Sequence, residues 1–166
     1  MRKIKYILLF FFSINCKANN LCLIDEVKLL SFKVKTQKIL SVCKGKNSAY
    51  LSYRFGIPSN IELQFPDKLD ISSWKEFQFT GMRRGGGKQN AGFGSYSLSF
   101  TKYNVEYSIF QEWNDESEEY SIGVVISVEG KKNIVLNGIK KSQEGSLILL
   151  EDENKYIQND FEKNIE

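Results

Sequence analysis

The stretch Ser95-Tyr-Ser-Leu-Ser-Phe-Thr-Lys-Tyr-Asn-Val-Glu-Tyr-Ser-Ile109 alternates apolar and polar residues, and this alternation decides the fold class. The residues that would share one buried face are Tyr96, Leu98, Phe100, Tyr103, Val105, Tyr107 and Ile109. A repeat of two residues is typical of a β-strand with one buried face and one wet face. Lys102 separates two alternating runs, which predicts a tight hairpin within residues 101–104.

The same alternation recurs along most of the chain and predicts further strands. Within residues 51–55 the apolar side chains point one way, which leaves Ser52 and Arg54 on the predicted wet face. The other alternating or apolar runs are 27–34, 38–43, 61–65, 77–80, 122–128 and 134–136, with turn residues at 56–60 and 129–132. Strands about ten residues apart that are joined by hairpins predict an all-β fold, either an antiparallel sandwich or an open barrel of about seven to nine strands.

The C-terminal part departs from this pattern. Residues 146–156 contain the apolar run Leu147–Leu150 and predict a short C-terminal helix. The last ten residues are mostly polar, and we expect them to fray. Residues 19–166 show no internal repeat and have the length of one ordinary domain. We therefore predict a single β-rich domain over residues 19–166 with a frayed C-terminal tail.

The first 18 residues predict export. Basic residues at positions 2, 3 and 5 precede a short apolar run from Tyr6 to Ile14. This run is too short for a membrane-spanning helix, which needs about 20 apolar residues. A basic start, a short apolar segment and small residues after it are typical of a secretory signal. We therefore expect residues 1–18 to be a signal sequence and the domain to be periplasmic or secreted.

Cys16 leaves two processing routes open. Cleavage after Ala18 would place Ala18 and Cys16 at the two positions where a signal peptidase needs small residues. In the other route, Ser13-Ile-Asn-Cys16 serves as a lipobox, with Asn15 in place of the usual small residue, and Cys16 carries a lipid anchor. Two acyl chains hold a protein firmly at a membrane, so this route would tether the domain. We expect no other contact with the membrane.

Removing the signal changes the charge of the protein. The chain contains 23 basic and 20 acidic residues, and four of the basic ones lie within residues 1–18. The remaining 148 residues therefore carry 19 basic and 20 acidic side chains, a net charge of −1. A nearly neutral domain offers no electrostatic basis for binding nucleic acid, so we expect no nucleic-acid partner.

The chain contains no histidine. This removes the commonest general base and the commonest metal ligand, and it excludes Ser–His–Asp and Cys–His catalysis. Paired carboxylates can catalyse glycoside hydrolysis, but acidic residues on wet strand faces are ordinary, and no pair stands out. We therefore predict a protein that is not an enzyme and that has no cofactor and no metal site.

The cysteines predict one disulfide. Once Cys16 is removed or lipidated, Cys22 and Cys43 remain as a pair. In an oxidising compartment they would close a loop of about 20 residues, which stabilises the fold by about 3 kcal/mol. Two buried free thiols are the alternative, and a metal site is disfavoured because no second cysteine pair stands nearby.

Gly81–Gly94 is the most unusual segment, with six glycines alongside Arg83, Arg84 and Lys88. The spacing of its glycines and lysine does not match a phosphate-binding loop. One interpretation is a bulged or flexible connection between strands. The other is a basic partner-binding loop on a rigid β-scaffold, in which Arg83, Arg84 and Lys88 contact carboxylates of the partner.

The second candidate is an acidic segment that also carries Trp113 and Tyr120. Its carboxylates belong to Glu112, Asp115, Glu116, Glu118 and Glu119. A solvated loop is one interpretation; a partner-binding loop is the other, because tryptophan is favoured as an interface anchor. A sugar-binding face is a further alternative, because four aromatic residues fall outside the clear inward phase. These are Tyr50, Trp74, Phe110 and Trp113.

Three segments carry a resemblance: Tyr53-Arg-Phe-Gly56, Ile61-Glu-Leu-Gln-Phe-Pro66, and Ser97-Leu-Ser-Phe100 after the glycine-rich segment. Over residues 38–137 the chain resembles small exported bacterial proteins of unassigned function and, in general plan, periplasmic lysozyme inhibitors and immunity proteins. This resemblance implies location and class, and no inhibitory residue carries over from those families. We expect a binding protein that neutralises a protein partner in the cell envelope, such as a lytic enzyme or toxin. An envelope lipoprotein that binds glycan or another envelope component is the alternative.

Overall fold

The computed structural model describes residues 19–87 and 90–160. The expected signal sequence with Cys16, the candidate residue Lys88 and the tail beyond residue 160 lie outside the described residues. In the described part of the chain, no helix is long and apolar enough to cross a membrane. Every buried side-chain nitrogen and oxygen of these residues has a hydrogen-bond partner.

The described residues form ten strands in two antiparallel sheets. In chain order the strands are β1 (Val27–Lys33), β2 (Ile39–Lys44), β3 (Leu51–Ile57), β4 (Asn60–Phe65), β5 (Gln78–Arg84), β6 (Phe93–Lys102), β7 (Val105–Asn114), β8 (Glu119–Val128), β9 (Ile134–Asn137) and β10 (Glu144–Gly145). The first sheet has the order β10-β1-β2-β3-β4, and the second has the order β5-β6-β7-β8-β9. The all-β prediction is confirmed, and the sheets form a sandwich rather than closing into a barrel. The strand number exceeds the expected range by one because the two-residue β10 pairs with β1.

The predicted hairpins are present. Tyr103 and Asn104 form the turn between β6 and β7, and both have positive φ angles, 52° and 60°. Two such residues in succession give a turn whose twist matches that of the flanking strands. The alternation counted Tyr103 as inward-facing, and that prediction is wrong: the side chain is 84% exposed at the tip of the turn.

Aromatic side chains join the two sheets in the core. Phe100 of β6 stacks on Phe65 of β4 with ring centroids 4.2 Å apart, and it lies 4.9 Å from Tyr53 of β3. All three side chains are at most 8% exposed. Such pairs stabilise a core beyond the apolar area that they bury, which is why the inward phase of the alternation defines this fold.

The outer face of the first sheet is buried, which the alternation did not predict. Ser52 and Arg54 were placed on the wet face, yet they are 0% and 2% exposed. The N-terminal segment 19–26 lies over them: the Leu21 amide donates to Ser41 Oγ at 2.9 Å, and Ser31 Oγ donates to the Asn19 carbonyl at 3.0 Å. This segment therefore forms a third layer over β1, β2 and β3.

A disulfide and a buried ion pair fasten the N-terminal segment. The predicted bond between Cys22 and Cys43 is present, with the Cα atoms 5.6 Å apart. Beside it, the Arg54 guanidinium donates to both Glu26 carboxylate oxygens, at 2.6 and 2.8 Å. Tyr50 Oη donates to the same carboxylate at 2.9 Å. A buried charge pair is held in place when further hydrogen bonds satisfy its remaining polar atoms, as they do here.

Short 3₁₀ helices close the edges of the sandwich. The expected C-terminal helix is a 3₁₀ helix over Leu147–Glu153, capped by the Ser146 hydroxyl. Its Leu147 and Leu150 are fully buried. The helix Ile71–Glu76 precedes β5 and carries Trp74, which is 1% exposed and donates its indole N–H to the Ser48 carbonyl at 3.0 Å. Trp74 is therefore a core residue and is unavailable for a sugar-binding face.

Candidate functional site

The two segments that the sequence singled out meet at one end of the second sheet. The described parts of the β5–β6 connection, residues 85–87 and 90–92, lie beside the β7–β8 turn, residues 115–118. The Asp115 amide donates to the Gly92 carbonyl at 2.9 Å. We call this part of the molecule the hairpin end. Connections carried on a rigid sheet are common places for recognition sites.

Arg83 and Arg84 lie on β5 rather than on a protruding loop. Gly81 was interpreted as the start of that loop, but it pairs with Tyr96 in the ladder between β5 and β6. A Cβ atom at Gly81 would lie 2.3 Å from the Tyr96 ring, so any larger residue at this strand position would force the ring to shift. The glycine-rich connection is correspondingly shorter than residues 81–94.

Both arginines make contacts within the chain. Arg83 Nη2 lies 2.9 Å from Glu151 Oε2, and the same carboxylate accepts a hydrogen bond from Tyr96 Oη. Arg84 Nη2 donates to the Ala91 carbonyl at 3.1 Å, and its guanidinium carbon lies 4.8 Å from the centroid of the Phe93 ring. These contacts use part of the donor capacity that a partner carboxylate would need. The binding role of the two arginines stays a prediction.

Trp113 occupies a defined place at the hairpin end. It pairs with Gly94 on β6 and with Tyr120 on β8. A Cβ atom at Gly94 would lie 2.2 Å from the indole, so the absence of a side chain there makes room for the ring. The indole stacks on Tyr96 with ring centroids 5.7 Å apart and planes 11° from parallel. Trp113 is half-buried.

Two adjoining cavities open beside Trp113 and Tyr120. One has a volume of about 520 Å³ and the other about 500 Å³, and they share four lining residues. The shared residues are Trp113, Asn114, Glu119 and Tyr120. The larger cavity also reaches Gln111, Lys140 and Ile148, while the smaller one reaches Glu112 and Ser121. We call the larger cavity the Trp113–Tyr120 cleft; its volume is in the range of small-ligand sites.

Tyr120 is the second aromatic wall of this cleft. Its hydroxyl donates to Gln143 Oε1 at 2.5 Å, and burial raises its pKa above the ordinary value, so it is a neutral phenol at physiological pH. The Lys140 ammonium lies 4.3 Å from the centroid of its ring. An ammonium at that distance is attracted by the negative face of the ring. The cleft therefore already contains one cation–aromatic contact.

Carboxylates cluster at the hairpin end, and three of them, Asp115, Glu118 and Glu119, line the cleft. Glu112, Asp115, Glu116, Glu118 and Glu119 are all exposed. Across residues 19–87 and 90–160, none of the five forms an ion pair with a lysine or an arginine, whereas seven ion pairs occur elsewhere in that part of the chain. Serine hydroxyls donate to two of them: Ser95 and Ser121 to Glu112, and Ser117 to Glu119. The hairpin end therefore carries a local negative charge that is absent from the nearly neutral composition.

A second cluster has the composition of a metal site. Ligand atoms of Cys22, Glu26 and Cys43 lie within 4.8 Å of one another. In the structure the two sulfur atoms are bonded to each other, and metal coordination requires thiolates. Burial raises the pKa of Glu26, but hydrogen bonds from Arg54 and the Leu23 amide outweigh it, so the pKa of Glu26 is lowered. The cluster fastens the N-terminal segment and leaves no free thiolate for a metal.

The four aromatic residues of the alternative sugar-binding face do not share a surface. Tyr50 donates a hydrogen bond to Glu26 over the first sheet, and Trp74 lies in the core. Phe110 lies on the outer face of the second sheet, with its ring against Gly123. Trp113 borders the two cavities at the hairpin end, whereas Trp74 borders a different cavity beside the helix Ile71–Glu76. The sequence pointed to Trp113 and Tyr120 but missed Lys140 and Ile148, because they reach the cleft from a distant segment that carries no motif.

Comparisons with known protein families, with curated proteins and with solved structures found no match to this chain.

Proposed function

We propose that this protein is an exported, non-catalytic binding protein that neutralises a partner protein, such as a lytic enzyme or a toxin, in the cell envelope. The observation that carries the proposal is the hairpin end, where an aromatic-walled cleft and five carboxylates without basic partners among the described residues occupy one end of a rigid sandwich. Tryptophan and tyrosine in a partly buried setting are favoured anchors for a protein partner. The 3₁₀ helices Lys140–Ser142 and Leu147–Glu153 contribute Lys140 and Ile148 to the cleft.

The composition of the hairpin end favours binding over catalysis. A catalytic carboxylic acid usually needs burial or a close like charge to shift its pKa toward the working pH. The carboxylates around the cleft are exposed instead, and the chain has no histidine to act as a general base. Exposed carboxylates of this kind act through charge complementarity, which steers a partner and fixes its register.

The proposal is tested by capture followed by an activity assay. The purified domain is immobilised and exposed to envelope extract, bound proteins are identified by mass spectrometry, and each is then assayed for lytic or toxic activity with and without the domain. The expected result is stoichiometric inhibition of one captured protein. If no captured protein loses activity when the domain is added, the proposal is wrong.

A matched pair of charge variants locates the surface. Glu118→Lys with Glu119→Lys reverses two charges at the hairpin end, and Glu106→Lys with Glu129→Lys reverses two exposed charges at the opposite end of the same sheet. We expect the first double variant to weaken inhibition by about tenfold or more and the second to leave it unchanged. Equal inhibition by both variants would exclude the hairpin end as the contact surface.

The alternative of an envelope lipoprotein that binds glycan draws support from the cleft as well. Sugar rings stack on tryptophan and tyrosine, and Asn114 and Glu119 would supply hydrogen bonds beside them. Titration with chitotriose, a soluble fragment of cell-wall-type glycan, separates this alternative from a protein partner. Metabolic labelling with a palmitate analogue, compared between the natural chain and Cys16→Ala, decides whether the domain is released or tethered.

A further inference from the structure

We propose that the Trp113–Tyr120 cleft receives a cationic side chain, an arginine or a lysine, from an exposed basic segment of the partner, and that this side chain displaces Lys140 from the face of Tyr120. The inference rests on the proposed function and names the chemistry that the hairpin end recognises. It also reverses the expectation from the sequence, in which basic residues of this protein would contact an acidic partner.

The first step is that the cleft already attracts a cation. The Lys140 ammonium lies 4.3 Å from the Tyr120 ring centroid, although Lys140 is an exposed residue with a long, flexible side chain. In the described part of the chain, Lys140 forms no ion pair with any carboxylate. The ring is therefore the contact that defines the position of this ammonium, and an exposed contact of this kind is weak enough for a ligand to displace it.

The second step concerns the shape of the cleft. Half-buried Trp113 and Tyr120 form aromatic walls, and the partly buried Ile148 adds apolar surface. A volume of about 520 Å³ accommodates a long side chain together with the main chain beside it. The stem of an arginine or a lysine packs well on such walls while its charged head reaches polar groups at the rim.

The third step is the charge at the rim. Asp115, Glu118 and Glu119 line the same cleft, all three are exposed, and none has a basic partner among the described residues. An incoming cation would contact the aromatic face and also pair with a carboxylate, because Lys140 alone does not neutralise the three carboxylates at the rim. An acidic ligand would meet repulsion from the same three groups, so charge complementarity favours a basic segment.

The fourth step is that, among the described residues, neither Arg83 nor Arg84 forms an ion pair with a carboxylate of the cleft. Arg83 is paired with Glu151, and Arg84 lies against the Phe93 ring and the Ala91 carbonyl. Neither arginine lines the cleft. These two arginines thus leave the acidic rim available.

The two tryptophans make the test direct. The chain contains only Trp74 and Trp113, so the indole region of a ¹H–¹⁵N NMR spectrum contains two signals. Trp74 is 1% exposed in the core and serves as an internal control, while Trp113 reports on the cleft. The probes are three blocked peptides, acetyl-Gly-Arg-Gly-Arg-Gly-amide, its lysine counterpart and its glutamate counterpart, together with chitotriose.

The expected result is a saturable shift of the Trp113 signal with the arginine and lysine peptides, no shift with the glutamate peptide, and an unchanged Trp74 signal. Salt should weaken the binding because the rim charges are exposed. Glu118→Lys with Glu119→Lys should weaken it about tenfold, Glu106→Lys with Glu129→Lys should not alter it, and Lys140→Ala should tighten it by about twofold to fivefold by removing the competing cation.

Three outcomes would overturn the proposal: no Trp113 shift with either basic peptide, an equal shift with the glutamate peptide, or a shift with chitotriose alone. Its failure is distinguishable from failure of the proposed function. A captured partner whose inhibition depends on the hairpin end, without peptide binding, would refute only the cationic cleft. Peptide binding without any inhibited partner would refute only the neutralising function.

Discussion

Replacing Glu26 by Gln should remove most of the stabilisation that holds the N-terminal segment on the first sheet. The Glu26 side chain is fully buried and Arg54 is 2% exposed. The substitution takes away the negative charge and leaves the Arg54 guanidinium buried, with only neutral acceptors: Gln64 Oε1 at 2.9 Å and the Leu21 carbonyl at 3.4 Å. Breaking one side of a buried pair costs about 3–5 kcal/mol, and an exposed pair would cost about 0–1 kcal/mol.

Urea denaturation followed by tryptophan fluorescence measures this loss, because Trp74 is buried in the core and reports on global unfolding. Two further variants provide reference values for this loss in the free energy of unfolding. Tyr50→Phe removes one hydrogen bond to the Glu26 carboxylate and should cost about 1–2 kcal/mol. Glu26→Leu combined with Arg54→Met removes both charges and should recover much of the loss. A loss below about 1 kcal/mol for Glu26→Gln would refute the buried-pair account.

The same pair predicts an acid-dependent stability. Burial raises the pKa of Glu26. The hydrogen bonds from Arg54 and from the Leu23 amide lower the pKa by more than burial raises it, so the folded-state pKa lies below the ordinary 4.5. A group with a depressed folded-state pKa contributes stability that is complete above its unfolded-state pKa and is lost as the pH falls through the folded value. Stability should therefore decline below pH 4.5, and Glu26→Gln should show a shallower decline than the natural protein.

Three other substitutions test separate parts of the fold. Cys22→Ser with Cys43→Ser should lower the free energy of unfolding by about 3 kcal/mol, because the disulfide joins residues 21 positions apart. If reduction of the natural protein left its free energy of unfolding unchanged, this prediction would be wrong. Gly94→Ala should cost about 1–3 kcal/mol and shift the Trp113 indole signal, because the new methyl group would lie 2.2 Å from the ring; an unchanged signal would mean that the ring does not rest there. Asn159→Ala should lower the free energy of unfolding by about 1–2 kcal/mol, because the Asn159 side chain accepts from the Gly81 amide at 2.9 Å and donates to the Gly81 carbonyl at 2.6 Å. Hydrogen exchange at the Gly81 amide should accelerate, and an unchanged exchange rate would argue against this contact.

The sequence predicted the parts of the fold that depend on local pattern. Alternation identified the long strands, and the break at Lys102 placed the turn between β6 and β7 within residues 101–104. The single remaining pair of cysteines predicted the disulfide. These features follow from neighbouring residues or from simple pairing, so they need no knowledge of the tertiary arrangement.

The burial of Arg54 could not be predicted in this way. On β3 it alternates with core residues and therefore matches a wet-face residue. What buries it is the segment 19–26, which comes earlier in the chain and has no strand periodicity. Coverage of a sheet face by an irregular segment depends on long-range contacts, here the Glu26 ion pair and the disulfide, and alternation carries no information about them.

The hairpin end was predicted in part. The acidic segment and Trp113 stood out in the sequence, whereas the glycine-rich segment was predicted to be a connection between strands because glycine permits backbone bends. In the structure, Gly81 and Gly94 lie opposite Tyr96 and Trp113 in neighbouring strands and make room for their rings. Cross-strand pairing of glycine with an aromatic residue becomes visible only when the register is known.

Hydrogen–deuterium exchange of the protein, alone and with its captured partner, tests most directly whether the hairpin end is the binding surface. The account predicts slower exchange within residues 110–123, which contain the β7–β8 turn and both aromatic walls of the cleft. Exchange around Tyr103, at the other end of the same strands, should stay unchanged. Protection confined to the Tyr103 end or to the first sheet, with residues 110–123 unaffected, would contradict the account.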